Sequence, residues 1–168
     1  ARVAGVRALG VDLNPLAQRV AEVRLDARPH AEGQAFVALA KDVAARSEAR
    51  VRARVPIRVN LPRSELKWWA PHVLKELGGL REELSTAERF EDRRALAVVF
   101  SSILTNVSRQ RSDTSEREHE RKIRKGLATE LFVRKAEELA ERWEELAVVA
   151  IRGPRPKVLV GDALELRR

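Results

Sequence analysis

The chain has 168 residues, 44% of them apolar and 35% charged, with a formal net charge of +8. This length and apolar share exclude a disordered tail and suffice for one domain with a real core. Cysteine is absent, which excludes a disulfide framework, a thiolate metal site and a thiol nucleophile.

The longest apolar runs, such as Leu96 to Phe100, are far shorter than a membrane span requires. No charged-then-apolar leader opens the chain, so a soluble, cytoplasmic protein with no membrane partner is expected. His30, His72 and His119 stand apart without metal-ligand spacing and are read as surface residues, so no metal site is expected. The chain opens on Ala and contains no Met, which points to a piece of a longer or processed protein.

The positive charge is concentrated. Arg46 to Arg63 sets six Arg against the single acid Glu48, and Arg109 to Lys125 sets seven basic residues against four acids. Together these stretches account for the whole excess. Such clustering is the usual electrostatic footprint for a nucleic-acid backbone, although a generally Arg-rich composition gives the same count.

In chain order, Ala1 to Val6 reads as the end of a helix closed by Gly5, ahead of a short strand over Ala8 to Val11. The strand is small and apolar, as in a parallel strand covered on both faces, and it ends in Asp12. Asn14 suits a helix N-cap and Pro15 the first helical position. The helix continues through Leu16, Val20 and Val23 until the stretch around Pro29. A second helix is expected from about Gln34, with Phe36, Val37, Ala40, Val43 and Ala44 on one face.

Val55 to Arg63 is expected to be extended because its two prolines disfavour helix before them. Ser64 can cap a short helix carrying Trp68 and Trp69, whose ordinary role is packing and whose alternative role is stacking on bases. Pro71 restarts a helix that Gly78-Gly79 should end. Ser85 with Glu88 has the pattern of a capping box, opening a core helix with Leu96, Val99, Phe100, Ile103, Leu104 and Val107. A polar stretch follows, then a short basic helix from Ser115 that Gly126 can close. A last helix over about Leu127 to Val149 should bury Leu131, Phe132, Leu139, Trp143 and Leu146. After Gly153-Pro154-Arg155-Pro156, the segment Lys157 to Ala163 repeats the opening pattern of apolar strand, Gly and Asp.

An acid at the carboxyl end of a strand, just before a helix, is where doubly wound folds hold ribose hydroxyls. Asp12 is therefore a candidate ribose ligand, or else a helper in capping the helix. Asp162, ending the second such strand, is suited to accept a hydrogen bond from an adenine amino group.

Gly10-Val11-Asp12-Leu13-Asn14-Pro15 and Gly161-Asp162-Ala163 resemble the second and third cofactor motifs of S-adenosylmethionine-dependent methyltransferases, nearest to the bacterial amino-methylating DNA methylases. The middle segment from Phe100 to Leu139, with Ser108-Arg109-Gln110-Arg111-Ser112-Asp113-Thr114-Ser115 and then Lys125-Gly126-Leu127-Ala128-Thr129-Glu130-Leu131-Phe132, looks like the helical insertion of some such enzymes. The resemblance implies an α/β fold: a partial Rossmann-like methyltransferase sheet of few parallel strands with a large, mostly α-helical insertion. Residues 1–32 would begin the cofactor-binding core, 33–152 form the basic insertion and 153–168 return to the core.

The resemblance also implies S-adenosylmethionine as cofactor, held by Asp12, Asn14, Pro15, Gly161, Asp162 and Ala163. DNA, with RNA as the alternative, would meet Arg109, Arg111, Arg121, Lys122, Arg124 and Lys125. In the intact enzyme an exocyclic amino group of a flipped base, adenine N6 or cytosine N4, would take the methyl group. Two departures stand out: the chain has no Gly-x-Gly loop and no Pro-Pro-aromatic catalytic motif. No catalytic residue is therefore assigned, and an internal fragment inactive by itself is expected. The competing readings are a non-catalytic helical nucleic-acid-binding or interaction module and a nicotinamide-dependent enzyme.

Overall fold

The computed structural model describes residues 4–57, 61–110, 122–149 and 154–165. The chain is α/β in composition but dominated by helix. Strand β1 (Leu9–Asp12) is followed by helices α1 (Pro15–Arg24), α2 (His30–Arg52), α3 (Arg63–Leu66), α4 (Pro71–Leu84), α5 (Phe90–Ile103) and α6 (Leu127–Val149), and then by strand β2 (Lys157–Val160). Short 3-10 turns follow α5 at Thr105–Val107 and β2 at Ala163–Glu165. No described helix is long and apolar enough to cross a membrane.

The chain divides into two units, 1–36 with 138–168 and 37–137, so the divisions fall inside α2 and α6. In the first unit β1 and β2 pair in parallel, with Leu9 opposite Lys157 and Asp12 opposite Val160. Helix α1 packs on β2, where the Gln18 side-chain amide donates to the Val158 carbonyl at 3.3 Å. Contrary to the expectation of a strand covered on both faces, β1 is largely exposed, as is β2. Only two strands pair among the described residues, leaving Leu9, Leu159 and Val160 about half exposed.

The core of this unit gathers around Trp143, which is fully buried and donates its indole N–H to the Val23 carbonyl at 2.6 Å. Phe36 packs against it at a ring-centre distance of 4.9 Å, and the buried Arg28 guanidinium lies 4.1 Å from the Trp143 ring. Arg28 keeps Asp26 as a partner at 3.0 Å, which offsets the cost of burying its charge.

The second unit is helical, with Ala40, Val43, Val73, Leu80, Leu96, Ile103 and Phe132 buried at its centre. Several boundaries differ from the sequence expectation for identifiable reasons. Helix α2 begins at His30 rather than Gln34, and Pro29 accepts its first amides, from Glu32 and Gly33. Helix α4 runs through Gly78-Gly79 instead of ending there. A Cβ on Gly79 would lie 2.6 Å from the Ser47 hydroxyl of α2, so the missing side chain permits a close helix approach rather than a stop.

Ser85 and Thr86 donate back to the Glu82 and Glu83 carbonyls, closing α4. They do not open α5, whose N-cap position is Arg89 with no side-chain cap. Likewise α3 starts after Pro62 without a cap from Ser64, and Trp68 and Trp69 lie in the turn beyond it. Ala4 is 3-10 helical and Gly5 follows it with a left-handed φ of 71°, as a helix end closed by glycine requires, with residues 1–3 outside the described residues. Residues 122–125 are non-helical where the sequence predicts a basic helix.

Candidate functional site

At the carboxyl edge of the two strands, the Gly161 amide donates to the Asp12 carbonyl at 3.0 Å. Both strand-end acids thus leave the sheet at one edge. Asn14 is the N-cap of α1: its Oδ1 accepts the Leu16 amide at 2.9 Å, and Pro15 occupies the first turn. Asp12 lies two residues earlier, where its Oδ1 accepts the Asn14 amide at 2.8 Å. Asp162 repeats that turn, accepting the Leu164 amide at 2.8 Å, and Ala163 begins the 3-10 turn that follows.

In each acid the second carboxylate oxygen makes no hydrogen bond to the described residues. Asn14 thus performs the capping, which leaves Asp12 one oxygen for another partner. Chemically the edge offers two carboxylate oxygens without a hydrogen bond to the described residues, acceptors suited to paired hydroxyls and an amino group.

Packing does not demand the two glycines in this region. A Cβ on Gly10 would meet Val158 at 3.7 Å, and one on Gly161 would meet Val11 at 3.6 Å, both ordinary contacts. Neither glycine has a left-handed φ, unlike Gly126 at 80°.

The predicted nucleic-acid contacts lie in the helical unit. Arg109 is half-buried, and its backbone amide donates to the Trp68 carbonyl at 2.7 Å. Arg111 and Arg121 lie outside the described residues. Lys122 and Lys125 are exposed, whereas Arg124 is ion-paired with Glu130. In the other basic stretch Arg52, Arg54 and Arg63 are exposed, whereas Arg46 bonds Asp42 and Glu83 and Arg50 bonds Glu82 and Glu83. Those last two charges tie α2 to α4 and contribute little to an outward field.

Three stitches hold the residues flanking 111–121 against α4 and the turn before it. Besides the Arg109–Trp68 bond, the His72 ring Nε2 donates to the Ile123 carbonyl at 2.9 Å. The buried Glu76 carboxylate accepts the Gly126 amide at 2.7 Å and the Ala128 amide at 3.4 Å, capping α6 from a neighbouring helix. His72 is thus half-buried and engaged rather than a free surface residue. His30 is exposed and bonds Glu144, while His119 lies outside the described residues.

The stitches bring Lys67 and Lys75 beside the predicted basic segment, which nothing in the local sequence signals. A mostly apolar cleft of about 140 Å³ also opens between α4 and α5, walled by Trp69, Leu74, Phe100 and Leu104 and flanked by Arg81. No group of residues suited to hold a metal ion occurs among the described residues. No family model, curated protein or solved structure matches the chain.

Proposed function

We propose that the chain is part of an S-adenosylmethionine-dependent nucleic-acid methyltransferase, with the cofactor's nucleoside held between Asp12 and Asp162. The observation that carries this reading is the parallel pairing of β1 and β2, which brings both acids to one sheet edge. In this reading Asp12 accepts from the ribose hydroxyls and Asp162 from the adenine amino group, each through the oxygen not engaged by its own turn. Gly10 and Gly161 keep the backbone approachable. The half-exposed apolar residues of both strands suit a sheet that continues in a larger core. Bound S-adenosylmethionine would supply the activated methyl group.

Calorimetric titration of S-adenosylhomocysteine into the chain tests the reading. Losing hydrogen bonds to a charged carboxylate, about 1.5–3 kcal/mol, should weaken binding roughly ten- to hundredfold in Asp12→Ala and Asp162→Asn. Equal affinity in both variants, or no binding to the parent chain, overturns it.

A second reading has its own observation: each acid already accepts a nearby backbone amide. If that is their whole role, the protein is a non-catalytic helical module that binds nucleic acid. It would then bind DNA and show no response to the nucleoside.

A further inference from the structure

We propose that the start of α4 and the turn before it form a docking surface for a nucleic-acid phosphate backbone, with Lys67 and Lys75 joining Arg109, Lys122 and Lys125. The inference rests on the proposed function for its choice of polymer and is independent of the cofactor site.

The stitches carry the assignment. Trp68, His72 and Glu76 are spaced at four-residue steps and hold residues 109, 123 and 126 respectively. Cations flank each one. Lys67 adjoins Trp68, whose carbonyl holds the Arg109 amide, and has its Nζ 4.5 Å over the Trp68 ring. Lys75 lies within one helical turn of both His72 and Glu76, whose partners carry Lys122 on one side and Lys125 on the other.

None of these five side chains has an ion-pair partner among the described residues. The nearby acids are mostly spent: Glu76 is buried with both oxygens engaged, and Glu130 holds Arg124. Among the described residues of 61–76 and 122–130, Glu65 is the acid left exposed and without a side-chain partner.

Cations without an ion pair among the described residues, drawn from separate chain segments, suit a regularly spaced polyanion, which they neutralise without reading sequence. An anionic membrane suits the surface less well. Interfacial binding needs apolar side chains beside the cations, and none of the large exposed apolar residues lies in 65–76 or in the described part of 105–126.

The test is fluorescence anisotropy of a labelled duplex across a salt series, with DNA and RNA duplexes as separate arms. For the chain carrying Lys67→Gln and Lys75→Gln, the log–log salt slope should fall by about 0.9 per lost phosphate contact, close to two in all. Arg134→Gln, an exposed cation on α6, should leave the slope unchanged. A reduced slope with either polymer supports the surface. An unchanged slope overturns it, as does an equal fall in the Arg134 control or binding only to phosphatidylserine vesicles.

Thermal melts confirm that the variants fold. Titration of S-adenosylhomocysteine into the same double variant separates the two proposals. Nucleoside binding with an unchanged slope removes the surface alone, and a reduced slope without nucleoside binding removes the methyltransferase reading alone.

Discussion

The carbonyl of Asp12 accepts the amide of Gly161, so Asp12 and Asp162 stand one backbone hydrogen bond and one peptide link apart although 150 positions separate them in sequence. A parallel ladder joins them, and a parallel pair needs a crossover between its strands. Here that crossover contains the whole helical unit.

Gly161 gives the first prediction. Its modest steric surroundings mean that Gly161→Ala should leave stability unchanged or raise it by up to about 1 kcal/mol, since Ala restricts the unfolded chain. Affinity for S-adenosylhomocysteine should fall in the same variant. A thermal melt paired with calorimetry reads both quantities. A large loss of stability would assign the glycine to the fold instead of to ligand approach.

The two strand ends were readable from sequence because a strand, an acid and a capped helix start are all local features. Asn14 and Pro15 take the positions their chemistry favours. The strand's surroundings were not readable, because apolar residues such as Leu9 and Val11 announce what would be favourable to bury and not what covers them. Gly78-Gly79 was misread for a similar reason. Glycine ends a helix or admits a neighbour, and the choice depends on Ser47, some thirty positions away. Charge counting likewise does not distinguish Arg46 and Arg50, spent on Glu82 and Glu83, from Lys67 and Lys75, which have no ion-pair partner among the described residues.

The close approach of α2 and α4 gives the second prediction. Gly79→Ala gains helix propensity of about 1 kcal/mol, but its new methyl overlaps the fully buried Ser47 hydroxyl. Overpacking costs about 1–3 kcal/mol, so a net loss of up to about 2 kcal/mol is expected in urea denaturation. Ser47→Ala in the same chain should recover most of it, because the Ser47 Cβ would lie at an ordinary 3.5 Å. The Ser47 bond to the Glu76 carbonyl is long, at 3.4 Å, and little is lost with it. Additive effects of the two substitutions would contradict this account.

Trp143 tests the core of the first unit. Trp143→Phe keeps much of the ring but leaves the Val23 carbonyl without its donor and weakens the contact with Arg28. A loss of about 1–3 kcal/mol should follow, against about 3–5 kcal/mol for Trp143→Ala. Denaturation of both variants, followed by far-ultraviolet circular dichroism, ranks the two effects. Equal losses would mean that the indole N–H, rather than the ring volume, carries the site.

Glu76 couples the core to the proposed docking surface. Its carboxylate is buried and supplies the first amides of α6, from Gly126 onward, with the charged acceptors a helix N-terminus favours. In Glu76→Gln one carboxylate oxygen becomes an NH2 group, so one of the two amides faces a donor. A buried unsatisfied donor costs about 1–3 kcal/mol, and the chain should lose stability by that amount. The loss should also be local. Hydrogen exchange at Gly126 and Ala128 should speed up more than exchange in the middle of α5, because the stitch fails before the helix core does. With that stitch loosened, Lys122 and Lys125 lose their fixed position beside Lys75, so duplex affinity should fall although no cation has been removed. Uniform exchange rates and unchanged duplex affinity would reduce Glu76 to a general contributor to stability.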